Sequence, residues 1–266
     1  MITSNANKSV KEVIQLNQKA KARNEKDVFV VEGGKMFAET PEERIVRVYI
    51  ARRAEEELRT LYGAKLDRLS VEIVADDVFD KMSDTKTPQG IMCLVRQFHY
   101  GIDDLLAGSS DQTNKLFVLL EDLQDPGNLG TIFRTGEGAG VHGIIMSHQT
   151  VDIYNPKTIR STMGSVYRVP FLYTDDLRGV IGMLREHGIS VYAAHLDGVK
   201  YYDEYDYCRG TAFLVGNEGR GLTRETADCA DELLRIPMEG KVESLNAAVA
   251  SSILLYEAYR QRRNGQ

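Results

Sequence analysis

The chain has 266 residues, an ordinary hydrophobic content of 42%, three cysteines and a formal net charge of −6. That length suits one large domain or two modest ones. No apolar run approaches the ~20 residues of a membrane span, no hydrophobic leader stands at the N-terminus, and Cys93, Cys208 and Cys229 are too scattered for a C-x-x-C zinc pair; a cytoplasmic protein without a metal or membrane is expected.

Residues 1–26 carry six basic side chains against two acidic ones. Asn7 to Arg23 reads as a helix, with Val10, Val13, Ile14 and Leu16 on its apolar side and lysines elsewhere. Lys8, Lys11, Lys19, Lys21, Arg23 and Lys26 form a basic arm suited to phosphates; the plainer alternative is a solvated helix face. Strands follow at Val28–Val31, Ile45–Ile50, Val71–Val74 and Ile91–Val95. Helices lie between them, one over Glu55–Tyr62 ending at Gly63 and one starting at Asp76-Asp77. Residues 1–96 therefore make a small α/β unit. The polar run Gly108-Ser-Ser-Asp-Gln-Thr-Asn114 marks 97–114 as a linker.

From Lys115 the alternation restarts and a second α/β domain covers 115–266. Leu116–Leu120 is an apolar strand and Glu121 to Gly127 a loop. Asn128 is placed to cap a helix that runs to about Ala139. Gly143–Met146 is a strand, Asp175–Glu186 a helix, Ile189–Ala194 and Ala212–Val215 strands, and Asn246 to about Arg262 the last helix. Gly138-Ala-Gly-Val-His-Gly143 matches G-x-G-x-x-G formally. The order here is helix, glycines, strand, so the glycines end a helix and do not open a dinucleotide site. The five histidines show no metal spacing.

Three later segments each put exposed backbone at the end of an apolar element: Val215-Gly-Asn-Glu-Gly-Arg-Gly-Leu222, Ile236-Pro-Met238, and Glu243-Ser-Leu-Asn-Ala-Ala-Val-Ala250. Glycine permits close backbone approach. The pattern reads as a small-molecule pocket built mostly from main chain, with Glu218, Ser244 and Asn246 as its polar side chains.

Asp125-Pro-Gly-Asn-Leu-Gly with Arg134, Gly216-Asn-Glu-Gly-Arg-Gly-Leu222, and Ile236-Pro-Met with Ser244-Leu-Asn-Ala-Ala-Val-Ala together resemble, in order and spacing, the three motifs of the SpoU/TrmH family of RNA 2′-O-ribose methyltransferases. The likeness covers about 115–262. The first part, with Val28-Phe-Val-Val-Glu-Gly33 after a basic helix, looks like the L30e-like substrate-binding domain often attached to that family.

The resemblance implies an α/β fold: a parallel-sheet SPOUT domain with a C-terminal trefoil knot, preceded by the smaller L30e-like domain. It implies S-adenosylmethionine as methyl donor, contacted by Gly216, Ile236 and Leu245, and a homodimer with the active site near the subunit interface. It makes Arg134 the catalytic residue, with Asn128, Glu218, Ser244 and Asn246 positioning Arg134 and the ribose. A guanidinium stays charged and accepts no hydrogen bond, so gripping a phosphate or stabilising an alkoxide suits it better than taking a proton. Residues 97–266 hold 16 basic against 23 acidic side chains, so RNA affinity is expected to rest on the N-terminal arm. Two domains favour ribosomal over transfer RNA. The alternative is a non-catalytic RNA-binding or ribosome-assembly factor on the same scaffold.

Overall fold

The computed structural model describes residues 1–107 and 114–264. They fall into two compact units, Met1–Phe98 with Asp152–Tyr167 and His99–Val151 with Arg168–Gln266. Residues 108–113 of the expected linker lie outside the described residues.

In the first unit, α1 (Lys8–Gln18) and α2 (Ala20–Lys26) precede β1 (Val28–Glu32), α3 (Gly34–Glu39), β2 (Ile45–Ala51), α4 (Glu55–Leu66), β3 (Val71–Val74), α5 (Asp76–Met82) and β4 (Ile91–Arg96). The strands order as β1-β4-β2-β3. β4 runs antiparallel to β1 and β2, and β2 pairs in parallel with β3. Two helix bounds differ from expectation. α4 continues past Gly63 because Leu66, on its last turn, is buried. The first helix breaks at Lys19, whose backbone is extended (φ −127°, ψ 115°).

That break has a cause in the later chain. Arg23 is buried at 3% exposure. Its Nη1 donates to the carbonyl of Leu16 at 2.5 Å, covering the end of α1. Its Nε and Nη2 donate to Asp152 Oδ2 at 2.9 and 2.6 Å. Arg23 itself is buried, and leaving a buried charge without its partner is strongly destabilising, so Arg23 is a fixed strut and not an exposed RNA contact. The helix is no loose arm either. Val10, Val13 and Leu16 are fully buried in the core of this unit, and Ile2 pairs with the edge of β3.

The second unit opens with α6 (Ile102–Ala107), inside the expected linker; its Leu105 and Leu106 are buried in that unit's core. Then come β5 (Leu116–Leu120), α7 (Pro126–Ala139), β6 (Gly143–Ser147), α8 (Pro156–Thr162; part of the first unit), β7 (Phe171–Thr174), α9 (Leu177–Glu186), β8 (Ser190–Ala194), β9 (Lys200–Tyr201), β10 (Thr211–Val215), α10 (Arg224–Ala227), β11 (Glu232–Arg235) and α11 (Ala247–Asn264). The sheet orders as β7-β6-β5-β10-β8-β11-β9 and every pairing is parallel. Its central strands read as continuous apolar runs because helices cover both faces; β5 and β10 are buried at every residue. Gly140 ends α7 in the left-handed conformation (φ 76°), so the G-x-G-x-x-G stretch is a helix stop.

The segment Asp152–Tyr167 packs with the first unit. The Tyr154 hydroxyl accepts from Phe98 N at 2.7 Å and donates to Phe98 O at 3.0 Å. Thr40 Oγ1 donates to the Tyr167 hydroxyl at 2.9 Å, and Arg160 Nη1 to Asp84 Oδ2 at 2.9 Å. Among the described residues no helix is long and apolar enough to cross a membrane.

Candidate active site

β5 and β10 lie side by side, Leu120 opposite Val215. In open α/β sheets the carboxyl ends of the strands are where ligands bind. The loop after β5 leads into α7 and the turn after β10 holds Glu218, so strand pairing alone brings the first two motifs together.

The Glu218 carboxylate then ties them. Oε1 accepts from Asp125 N at 2.9 Å and from Asn128 Nδ2 at 3.0 Å, and Oε2 accepts from Gln124 N at 3.0 Å. Asn246 Nδ2 donates to Asn128 Oδ1 at 2.9 Å. Asn128 thus links all three motifs. The helix cap expected of Asn128 belongs instead to Asp125, whose Oδ1 accepts from Asn128 N at 2.8 Å ahead of Pro126. With α7 capped by its neighbour, the Asn128 side chain is free for the network. Asn246 does serve its own helix, accepting from Ala248 N at 2.9 Å.

Burial pushes the Glu218 carboxyl up, but the bonds from Asn128, Gln124 and Asp125 outweigh it and hold the pKa below the usual carboxylate range. Glu218 is therefore ionised at neutral pH and is a weak base. Its stabilising effect is present above the ordinary carboxylate pKa and is lost as pH falls through the lowered folded value.

The turn itself explains Gly216. A Cβ there would lie 2.3 Å from the carbonyl carbon of Gly221 and 2.4 Å from Leu222 N. The glycine is required by the turn's own backbone crossing, closed by Asn217 N to Gly221 O at 3.1 Å and Gly221 N to Asn217 O at 2.9 Å. Ligand approach, inferred from the sequence, is not the first reason for it.

Residues 236–245 behave differently. Among the described residues this stretch forms no helix or strand and makes no hydrogen bond. Ile236, Met238 and Leu245 are half-buried, so the run presents apolar side chains beside free backbone donors and acceptors. Pro237 and residues 239–244 are exposed, so this backbone is open to solvent and accessible to a small polar ligand. Ser244, in the same run, is exposed and joins no network.

Arg134 also stands outside the network. It lies on α7 six residues after Asn128, on another face of the helix, and is exposed with no hydrogen bond or ion pair among the described residues. Of the expected RNA contacts, Lys8, Lys11 and Lys19 are exposed, Lys21 faces Glu25 at 3.7 Å, and Lys26 pairs with Glu12 at 2.6 Å. Glu121 and Asn217, which brace the turn from behind, carried no signal beyond their places next to a strand end.

Comparison with known proteins bears directly on this arrangement. Residues 115–256 match the SpoU rRNA Methylase family and residues 7–93 the MRM3-like substrate binding domain. The chain is 31% identical to the 23S rRNA (guanosine(2553)-2′-O)-methyltransferase RlmP of Bacillus subtilis, over 96% of this chain and 97% of that protein. An AdoMet-bound rRNA methyltransferase from Sinorhizobium meliloti superposes with a TM-score of 0.82 at 33% identity, covering 97% of each chain. The SpoU methyltransferase AviRb from Streptomyces viridochromogenes in complex with AdoMet gives 0.85 at 26% identity, over 98% of this chain and 100% of that one. With its three motifs joined through Asn128 at the ends of two paired strands, the chain belongs to the SpoU rRNA methylase family.

Proposed function

We propose that this protein transfers a methyl group from S-adenosylmethionine to a ribose 2′-hydroxyl of RNA, with ribosomal RNA as the substrate. The observation that carries the reading is the Asn128–Glu218–Asn246 network, which holds all three family motifs in one frame. The ribosomal assignment rests on the relatives and on the match to a substrate-binding domain.

The residues present fit the donor. Free main-chain groups at 236–245 suit adenine edges, ribose hydroxyls and an amino-acid moiety, and Ile236 and Leu245 supply apolar surface beside them. When bound, S-adenosylmethionine supplies an electrophilic methyl on sulfur. The chain's own task is alignment, where effective molarity contributes about 7–11 kcal/mol in well-oriented systems. Glu218, accepting three hydrogen bonds, serves as the anchor of the motif 1 loop. Asn128 and Asn246 hold that loop against α11. Arg134, free and permanently charged, grips the phosphate beside the target ribose or steadies the developing alkoxide.

Two further parts of the reading concern partners. Val249, Tyr256 and Tyr259 leave an exposed apolar stripe along α11, the helix bonded to α7 through Ser252 Oγ to Thr135 Oγ1 at 3.2 Å. The protein pairs with a second copy, as the family resemblance implies, and this exposed stripe is the surface suited to the pairing. Its mass in solution is therefore expected at twice 29.8 kDa, and a monomeric mass at micromolar concentration refutes the pairing. RNA is held partly by Lys8, Lys11 and Lys19. Removing residues 1–26 would strip the core of the first unit, so charge reversal is the right test. Changing all three lysines to glutamate should weaken RNA binding at least tenfold and flatten its salt dependence, whose slope is about −0.7 per phosphate on single strands. Unchanged affinity in filter binding would remove these lysines from the interface.

The activity test is methyl transfer from labelled S-adenosylmethionine to size-fractionated RNA from cells lacking the protein, digested to nucleosides. Label in a 2′-O-methylnucleoside of the ribosomal fraction is the expected result. Label on a base overturns the ribose assignment, and label in transfer RNA alone overturns the substrate.

A further inference from the structure

We infer that Glu121 is a positioning residue for methyl-donor binding, acting through the turn that carries Gly216. The inference rests on the reading above and adds a residue outside the three motifs. Glu121 follows the last residue of β5 and is buried at 8% exposure. Its Oε2 accepts from Thr223 N at 2.7 Å, and its Oε1 accepts from Thr223 Oγ1 at 2.8 Å and Thr226 Oγ1 at 2.5 Å. No cation pairs with it among the described residues.

A buried carboxylate is costly unless its acceptors are filled, so its presence calls for a reason. Helix capping is not that reason, since Thr223 already caps α10 by accepting from Thr226 N. What Glu121 adds is a tie from this cap to the end of β5. The turn at 216–222 is then held from both ends. Glu218 reaches out to Gln124, Asp125 and Asn128, and Glu121 reaches in to Thr223 and Thr226. Asn217 Nδ2 adds a bond to Asp122 O at 2.7 Å.

Packing shares this work, because Leu222 and Ala227 sit in the core of the unit, but it leaves room on the polar side of the turn. A cavity of about 130 Å³ lies between Glu121 and Asp122 on one side and Asn217, Arg220, Gly221 and Thr223 on the other. Leu222 is the turn's buried apolar residue. With the carboxylate gone, the turn has room to sink, and Gly216 moves relative to the free main chain at 236–245. The donor pocket loses its shape while both sheets keep theirs.

The test uses the full-length protein with Glu121→Ala, Glu121→Gln and Thr226→Val, reading S-adenosylmethionine Kd by calorimetry, single-turnover transfer at saturating donor, and Tm. Glu121→Ala should raise Kd about tenfold or more, the scale of losing hydrogen bonds to a charged group, with a smaller effect on transfer from the saturated complex. A glutamine accepts from Thr223 N with its oxygen and donates to Thr223 Oγ1 with its amide, so Glu121→Gln should stay within about threefold of wild type. Thr226→Val, of similar volume, should raise Kd about threefold. A lowered Tm with unchanged Kd in Glu121→Ala overturns the inference, because a merely structural brace predicts that result. Should Glu121→Ala fail to fold, an unchanged Kd in Thr226→Val overturns it instead. Failure of the functional reading is distinguishable, since there the wild type itself would not bind the donor.

Discussion

Replacing Arg134 with alanine is expected to abolish methyl transfer while S-adenosylmethionine affinity stays within about twofold of wild type. Arg134 is exposed, and among the described residues its guanidinium has no partner. An arginine with nothing to hold in the folded chain costs little to remove, so Tm should barely move. What disappears is a fixed positive charge. Loss of a single preorganised charge-stabilising donor costs about 10²–10³ in rate, and loss of substrate grip adds to this. Arg134→Lys keeps the charge but not the planar fork, and should recover a small part of the rate. The measurement is single-turnover transfer together with calorimetric donor binding. Near-normal turnover in Arg134→Ala would remove it from the reaction, and a parallel loss of donor affinity would move it to the donor site.

The second large effect is expected at Gly216. An alanine there places Cβ 2.3–2.5 Å from backbone atoms of Gly221 and Leu222. Backbone cannot swing aside as a long side chain does, so the turn must open. Overpacking of this kind costs about 1–3 kcal/mol, which a chain with two well-buried sheets survives. Gly216→Ala should therefore fold, with a lowered Tm, and bind S-adenosylmethionine at least tenfold more weakly. Gly219→Ala is the matched control. At Gly219 a Cβ meets only Asn217 Oδ1, at 3.6 Å, so donor affinity should be retained. If both variants bind the donor like wild type, the turn does not shape the donor site. If both lose it equally, glycine content and not the backbone crossing is what matters.

Much of this protein is present in its local sequence. The β-branched and apolar runs at 28–31, 45–50, 116–120 and 212–215 became β1, β2, β5 and β10, because side-chain periodicity and burial in a covered sheet act residue by residue. The family resemblance carried by the three motifs implied that Asn128, Glu218, Ser244 and Asn246 gather about Arg134; Asn128, Glu218 and Asn246 do meet, while Ser244 and Arg134 stand outside their network. The tertiary structure alone decided the pairings between distant residues, and these changed the meaning of several side chains. Arg23 resembled its basic neighbours until Asp152, 129 residues later, took its guanidinium. Asn128 had the profile of a helix cap, yet Asp125 holds that place. Glu121 became a brace only because Thr223 and Thr226, more than 100 residues on, came to lie beside β5. Likewise Asp152–Tyr167, inside the second half of the chain, belongs to the first unit through Tyr154, Arg160 and Tyr167. Periodicity and capping preferences describe a residue among its near neighbours. A buried hydrogen bond needs a partner at about 3 Å, and that partner is supplied by the path of the whole chain.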